Sequence, residues 1–463
     1  MTCSAKHRVM PLLSTIIVGG GPGGLGPLIW AAQQGLLPTW LNRGVAIVER
    51  QAHLGGTLGR FGIHSDSLGG SYLECLEAPH LPATLACLRD DPVTHEMAGY
   101  RQSFPPLALV DRFMRRIGSA LGAMFTGPSS LYLRTTAQAV RLHPDGSVTV
   151  TATCPEGSSF VLSARSAILA MGGRQHCPQL PVPPERHVIP SDQLLTVEGL
   201  CDANKLMAVA GSRRILILGG SHSAYAAAGA LLELPAAQHL APGQIAIVQR
   251  REPRIFYPDQ DAARHDGYDV APGDICPRTQ RVNRMGGLRG YGRETWRQIT
   301  DRPGLQPETR VVRMALQDLS ATELHTAIDA AALVVPCFGY RSVTLPVFDS
   351  NGERFELNAD KGGIAVGDDC CLLTADQRKL PNLFGIGLGT GYRLPASMGG
   401  EPNFDGQANS LWLYQNDIGA TIYRAIDELS PALPSETPPD VLGELDRAQG
   451  TRVAVLASPN TGF

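Results

Sequence analysis

The run from Val18 to Leu25, with glycines at Gly19, Gly21 and Gly24, constrains this chain more than any other stretch of it. It follows a β-rich run, Thr15, Ile16, Ile17 and Val18, and precedes apolar residues at helical spacing over 25–36. A turn this tight between strand and helix needs the first glycine for the turn itself. The second lets the backbone approach a pyrophosphate, and the third lets helix and strand pack closely. Val45, Ala46, Ile47 and Val48 then form a second predicted strand, and Glu49 stands 30 residues beyond Gly19. An acid at that strand end can accept hydrogen bonds from ribose hydroxyls. Pro22 and Gly23 fall within the turn, where the helix N-terminus offers N–H groups to phosphates. Pro27 is expected in the first turns of that helix, where a missing N–H costs least.

The pattern restarts two hundred residues later. Ile215 to Leu218 is a predicted strand, 222–234 an Ala-rich helix and 245–248 another strand; Gln249 stands 30 residues beyond Gly219. Gly219-Gly220-Ser221-His222-Ser223-Ala224 fits Gly-x-Gly-x-x-Ala except at Ser221, whose Cβ is expected to hold the backbone off the phosphates. Arg250 and Arg251 follow in place of an acid, and a guanidinium there favours a 2′-phosphate, hence NADPH over NADH. The expected fold is α/β, two Rossmann-like three-layer nucleotide-binding domains with the second inserted into the first. The expected boundaries are 1–195 for the first part of the first nucleotide-binding domain, with 57–130 as largely helical cover, 205–332 for the second nucleotide-binding domain, 333–430 for the second part of the first domain, and 431–463 for a Pro-rich tail.

Between these landmarks, 147–153 and 159–162 read as hairpin strands and 166–170 as a further buried strand. Residues 178–190 read as a Pro-rich linker, 278–293 as an Arg/Gly-rich loop, and 332–336 and 383–389 as late strands. A helix is predicted over 406–427, with Leu411, Tyr414, Ile418 and Ile422 on one face and Asp405 as its cap.

Composition narrows the function classes. Forty basic against 43 acidic residues give a net charge of −3, which argues against a nucleic-acid binder. No apolar run of 18 residues is present, so no membrane span is expected. The N-terminal apolar stretch runs into the glycine motif without a small-residue cleavage site, so it does not read as a signal peptide. The ten cysteines include no Cys-x-x-Cys and no zinc spacing, so no metal site is expected. Cys370 and Cys371 are adjacent and read as buried small hydrophobes. Free thiols suit a cytoplasmic location.

Taken together, these motifs resemble those of the two-dinucleotide-binding-domain flavoproteins, the group that spans thioredoxin-reductase-like enzymes, flavin monooxygenases and lysine/ornithine N-hydroxylases. Beyond the two glycine turns, the likeness rests on Glu49-Arg50, on the Leu54-Gly55-Gly56 turn with Thr57 and Leu58, and on Ala170-Met171-Gly172-Gly173. It rests also on Cys337-Phe338-Gly339-Tyr340-Arg341 and on the run from Asn382 to Gly387. The resemblance implies FAD at the first turn and NADPH at the second. It implies a helix N-terminus at Gly406 and Gln407 facing the flavin. The activity it implies is NADPH-dependent monooxygenation of a small molecule through a flavin hydroperoxide; the substrate and self-association are left open. Without Cys-x-x-Cys, dithiol transfer is not expected. Leu388 stands where an acid would follow Gly387, and Ser221 favours an alternative, an FAD-dependent oxidase or dehydrogenase with a degenerate second site. A flavin-binding protein with a structural role is a third reading. His64, Ser65 and Asp66 are candidates for the flavin's surroundings, and the Arg cluster 278–297 for a nucleotide or acidic-substrate clamp. No catalytic side chain is assigned.

Overall fold

In the computed structural model, which describes residues 12–177, 187–359, 365–388, 390–395 and 398–429, the strand Leu13–Val18 lies at the centre of a nine-stranded sheet. It runs parallel to Val45–Val48 on one side and to Ser159–Leu169 on the other. Ser130–Tyr132 extends the parallel set beyond Val45–Val48, and Lys379–Gly385 extends it beyond Ser159–Leu169. Leu13–Val18 and Val45–Val48 are buried along their whole length, as strands at the centre of a parallel sheet are.

Ser159–Leu169 is one strand of 11 residues where the sequence suggested two. Its first half pairs antiparallel with Val148–Thr153, which in turn pairs with Thr136–Leu142. Its second half joins the parallel set, with Ile168 beside Ile17. Ser163 is paired with Thr149 in the antiparallel ladder, and Arg165 continues the same extended strand between the two ladders.

The second sheet is parallel throughout. Its order is Val311–Ala315, Ile245–Gln249, Ile215–Leu218, Leu333–Pro336 and His187–Val188. Leu333–Pro336 therefore belongs to this sheet, although the sequence suggested the first part of the return to the other domain. The reason lies in its register: Val335 pairs with Ile217 and both enter the second core. The chain then crosses back. Tyr340–Ser342 pairs antiparallel with Gly173–Gln175, and the Gln175 amide donates to the Pro336 carbonyl at 2.6 Å.

Between 57 and 130 the chain is mostly short helices and turns, of which Leu107–Gly122 is the longest; its Phe113, Met114, Ile117 and Leu121 enter the first core. The first glycine helix, Pro22–Gln33, packs against Asp417–Glu428, with Trp30 and Tyr423 ring centroids 5.3 Å apart. Pro22 is the residue at the start of that helix, so Pro27 lies in its interior rather than its first turn. The predicted helix over 406–427 is two helices, Leu411–Gln415 and Asp417–Glu428. Among the described residues, no helix is long and apolar enough to cross a membrane, and no group of three or more His, Cys, Asp or Glu side chains is placed to hold a metal ion. Residues 178–186 of the predicted linker and the tail from 430 lie outside the described residues.

Candidate functional site: two glycine turns and the junction between them

At the first turn, Gly19 has φ +102°, a conformation glycine adopts freely, and its N–H bonds the Val48 carbonyl at 2.9 Å. Gly24 sits where an added Cβ would lie 1.9 Å from the Gly19 carbonyl oxygen, so helix and turn touch backbone to backbone. Gly21 is different. Its backbone is ordinary extended chain, and an added Cβ would approach only the Gly56 Cα, at 3.8 Å. Gly172 and Gly387 likewise face open space, and a Cβ on Gly23 would come within 3.3 Å of the Gly387 Cα. Gly21, Gly23, Gly56 and Gly387 thus lie close together, with open space over Gly387 and almost none of it filled beside Gly21. The N–H groups of Gly23 and Gly24 open the helix there without intrahelical partners. The residues present fit a pyrophosphate, for which the space beside Gly21 and Gly387 that a side chain would fill is left open.

Glu49 is buried at the end of its strand. Its carboxylate accepts from the Gly20 N–H at 2.6 Å and from the Gln51 N–H at 2.7 Å. It is therefore held beside the groove in a fixed orientation, as ribose recognition requires. Arg50 is exposed next to it. Gly55 and Gly56 have φ of +107° and +91°, and the Gly55 N–H bonds the Gly20 carbonyl, which brings this turn, with Thr57 and Leu58 beyond it, against the fingerprint. Met171 packs against the first core beside Gly172.

Gly219 repeats the first turn, with φ +141° and its N–H on the Val248 carbonyl at 2.9 Å. Ser221 is exposed and extended, at φ −123° and ψ −167°, immediately before the helix His222–Leu232, whose first residues include Ser223 and Ala224. A cleft of about 1150 Å³ opens at Gly219, Gly220 and Ser221 and is lined by Arg250, Arg251 and Arg254. Gln249, in the place of Glu49, is buried and committed elsewhere. It accepts from the Tyr225 hydroxyl at 3.0 Å and donates to Glu252 at 3.0 Å, and Glu252 pairs with Arg313. The exposed Arg250 and Arg251 are left as the polar groups at the strand end.

The two turns meet through a junction that the sequence did not reveal. The segment 398–405 returns from the first domain and lies on the loop 273–289 of the second. Glu401 is buried and accepts from the N–H groups of Met285 and Gly286, at 3.0 and 2.9 Å. The Asn403 N–H bonds the Gly273 carbonyl, and Arg254 donates to the Asn403 carbonyl. Asp405 lines the second cleft rather than capping a helix. Ser410 caps the helix that begins at Leu411, accepting from the Leu413 N–H at 3.1 Å. Gly406 and Gln407 therefore precede the helix, Gly406 in a bend where an added Cβ would run into the Phe404 ring, and the Ala408 N–H is taken by the Tyr392 carbonyl.

On the first domain's side of the junction, His64 bonds the Phe104 carbonyl through Nδ1 at 2.8 Å. Ser65 is buried against the Tyr72 hydroxyl at 2.7 Å, and Asp66 is exposed. His222 faces this loop. Burial pushes its imidazole below the ordinary value and Arg289 acts the same way, while Asp66 and the Gly287 backbone oppose them. Trp412 donates to the Glu74 carboxylate at 2.9 Å. Cys370 and Cys371 are both free thiols in the core, and burial pushes Cys371 up to about 12.

No protein-family model matches the chain. It is 33% identical over 427 residues to the CMP-5′-(3-aminopropyl)phosphonate hydroxylase of Streptomyces rubellomurinus, a match that covers 89% of this chain and 97% of that protein. Among solved structures, an ornithine N-hydroxylase of Kutzneria superposes with a TM-score of 0.54 at 15% identity, over 91% of this chain and 100% of the other. The L-lysine 6-monooxygenase of Pseudomonas syringae gives 0.53 at 17% identity, over 90% and 100%. The cadaverine monooxygenase of Erwinia amylovora, solved with FAD, gives 0.54 at 14%, over 91% and 96%. At these identities the solved structures share the fold.

Proposed function

The chain belongs to the family of the Streptomyces CMP-5′-(3-aminopropyl)phosphonate hydroxylase, and on that premise we propose that it is an FAD- and NADPH-dependent monooxygenase that hydroxylates the amine of a nucleotide-linked aminoalkylphosphonate. The observation that carries this reading is the cleft at Gly219–Ser221, lined by Arg250, Arg251 and Arg254 and by Asp405 of the first domain's return segment. A second nucleotide bound there extends toward the first domain.

The residues at the first glycine turn would hold FAD and those at the second NADPH, and the bound pair would supply the reducing electrons and the oxygen activation that hydroxylation needs. The protein's own part is binding, orientation and exclusion of water. Gly23 and Gly24 donate backbone N–H groups to the first pyrophosphate, while Glu49, fixed by two backbone N–H groups, accepts from the ribose. Arg250 and Arg251 hold the 2′-phosphate of NADPH, since Gln249 is committed to Tyr225 and Glu252. Glu401 fixes the return segment on the second domain, so the two nucleotide sites keep one spacing. Ser221 lies exposed at the mouth of the cleft and can donate its hydroxyl to a phosphate.

Anaerobic mixing with NADPH, followed by oxygenated turnover with CMP-5′-(3-aminopropyl)phosphonate, tests the reading. Bleaching of the flavin by NADPH and a product one oxygen atom heavier are expected. Bleaching by the substrate without NADPH would instead identify an oxidase or dehydrogenase.

A further inference from the structure

The chain crosses between its two domains on a two-stranded ribbon, Gly173–Gln175 paired antiparallel with Tyr340–Ser342. The register sets Arg174 directly opposite Arg341, so both side chains leave the same face of the ribbon. His176 stands two residues beyond Arg174 and shares that face. Its N–H bonds the Gly339 carbonyl at 2.9 Å, and its Nε2 lies 3.2 Å from the Arg341 guanidinium. Arginine can only donate, so the imidazole accepts there and holds the Arg341 fork. The other face carries Gln175, whose amide is committed to the Pro336 carbonyl and the Asp192 N–H.

Like charges directly opposite on a ribbon are unfavourable, and here nothing offsets them. Both arginines are exposed, and neither pairs with an acid among the described residues. This end of the ribbon opens on the cleft of the second glycine turn, which His176, Phe338 and Gly339 line. Gly339 has φ +78° and nothing within 4 Å of an added Cβ, so the space over it is open. Phe338 belongs to neither core and is 39% exposed on the cleft wall. The acids of that wall are Glu252, which pairs with Arg313, and Asp405 of the return segment. NADPH has its own holders at the Gly219 turn and at Arg250 and Arg251, which leaves the ribbon's cations for another anion. The ribbon also touches the first domain's last turn: an added Cβ on Gly173 would lie 3.1 Å from the Leu388 carbonyl oxygen, next to Gly387.

We propose that Arg174 and Arg341, with His176 positioning the second, form a phosphoryl site for the substrate's nucleotide, and that Phe338 is the platform on which its base stacks. This rests on the substrate reading given above. Guanidinium forks match phosphoryl oxygens with charge-assisted bonds, and the bound phosphoryl group supplies the counter-charge that the cross-strand pair lacks. An exposed ring beside a phosphoryl site gives a base its stacking face. A nucleotide held here lies at the crossing between the domains, beside the Gly387 turn, and amines without a nucleotide gain nothing from it.

Calorimetric titration of the FAD-loaded, NADPH-free protein tests the site, with CMP and ribose 5-phosphate as probes and NADPH affinity measured separately. Arg174→Ala and Arg341→Ala should each weaken both probes about tenfold to a hundredfold, the range for a hydrogen bond to a charged group, and leave NADPH within a few-fold of the parent. Phe338→Ala should weaken CMP by about the same factor, the range for a base on an aromatic ring, and leave ribose 5-phosphate unchanged. All three side chains are exposed, so the variants should melt with the parent. CMP binding that is absent from the wild type, or unchanged in both arginine variants, overturns the site. So does an equal loss for NADPH, which would give the ribbon to the coenzyme. Turnover separates the site from the substrate reading. Arginine-dependent CMP binding by a protein that does not hydroxylate CMP-5′-(3-aminopropyl)phosphonate keeps the site and refutes that reading. Hydroxylation with KM unmoved in both arginine variants keeps the reading and refutes the site.

Discussion

Replacing Gly21 by valine separates the ligand's need for a glycine from the fold's. The Gly21 backbone, at φ −78° and ψ −174°, is one that any residue adopts, and an added Cβ would meet only the Gly56 Cα at 3.8 Å. The empty protein should therefore tolerate the valine. The side chain would occupy the groove where the pyrophosphate lies against the Gly23 and Gly24 N–H groups. Losing two hydrogen bonds to a charged group, each about 1.5–3 kcal/mol, costs roughly 3–6 kcal/mol. That corresponds to about a hundredfold to ten-thousandfold in FAD affinity. Gly24→Ala is the contrasting variant: its methyl would lie 1.9 Å from the Gly19 carbonyl oxygen, so the turn itself must yield. The assay pairs the visible spectrum of purified protein with the melting temperature of flavin-free samples, because bound FAD alone would stabilise the parent. Gly21→Val should be colourless and melt with the flavin-free parent, whereas Gly24→Ala should melt lower. A yellow Gly21→Val protein, or one whose flavin-free form melts well below the parent's, would refute this account of the groove.

Three further outcomes follow from the same geometry. Arg250→Ala should weaken NADPH about tenfold to a hundredfold and leave NADH nearly unchanged, measured by flavin reduction at varied nucleotide; equal rates with both nucleotides in the parent would remove the basis for it. Changing both Cys370 and Cys371 to serine should leave NADPH-driven flavin reduction within a few-fold, and its complete loss with flavin and fold intact would mean that the thiols take part. His222 is held below its ordinary pKa, chiefly by burial, so the unfolded chain takes up a proton on this imidazole near pH 6.5 that the folded protein takes up only lower. The fold pays no penalty here above that pH and is progressively destabilised below it. Melting temperatures from pH 8 to 5 should fall less for His222→Gln than for the parent, and parallel curves would contradict the assignment.

Both glycine turns were legible because everything that defines them is local: glycine spacing, the preceding strand and the residue 30 positions on. The junction was not. Glu401 holds Met285 and Gly286 through backbone N–H groups, which carry no residue signature, across more than a hundred positions of sequence. The start of the late helix was misplaced for a related reason. Leu411, Tyr414, Ile418 and Ile422 set a helical period, but periodicity says nothing about which N–H the Tyr392 carbonyl will claim. Ser410, an ordinary N-cap residue one position before Leu411, was the available signal. The arginines of 278–293 stood out in the sequence, but the acids that pair with them, Asp417 with Arg278 and Asp266 with Arg293, are brought in by the fold.

Ser159–Leu169 has a consequence for how the chain assembles. Its second half is flanked by Leu13–Val18, which is synthesised long before it, and by Lys379–Gly385, which is synthesised about two hundred residues after it. While the inserted second domain is being made, the edge at Ala167, Ile168 and Leu169 has no strand beside it. Three consecutive apolar residues then offer an open hydrogen-bonding ladder to whatever is nearby. Parallel pairings over such separations form slowly, because loop closure precedes any gain from contact. The second domain, whose strands are supplied within 187–336, can close its sheet first and shorten the gap that the last strand has to bridge. Nascent chains that end between 169 and 379 thus keep this strand edge open, and it closes only when Lys379–Gly385 has been made.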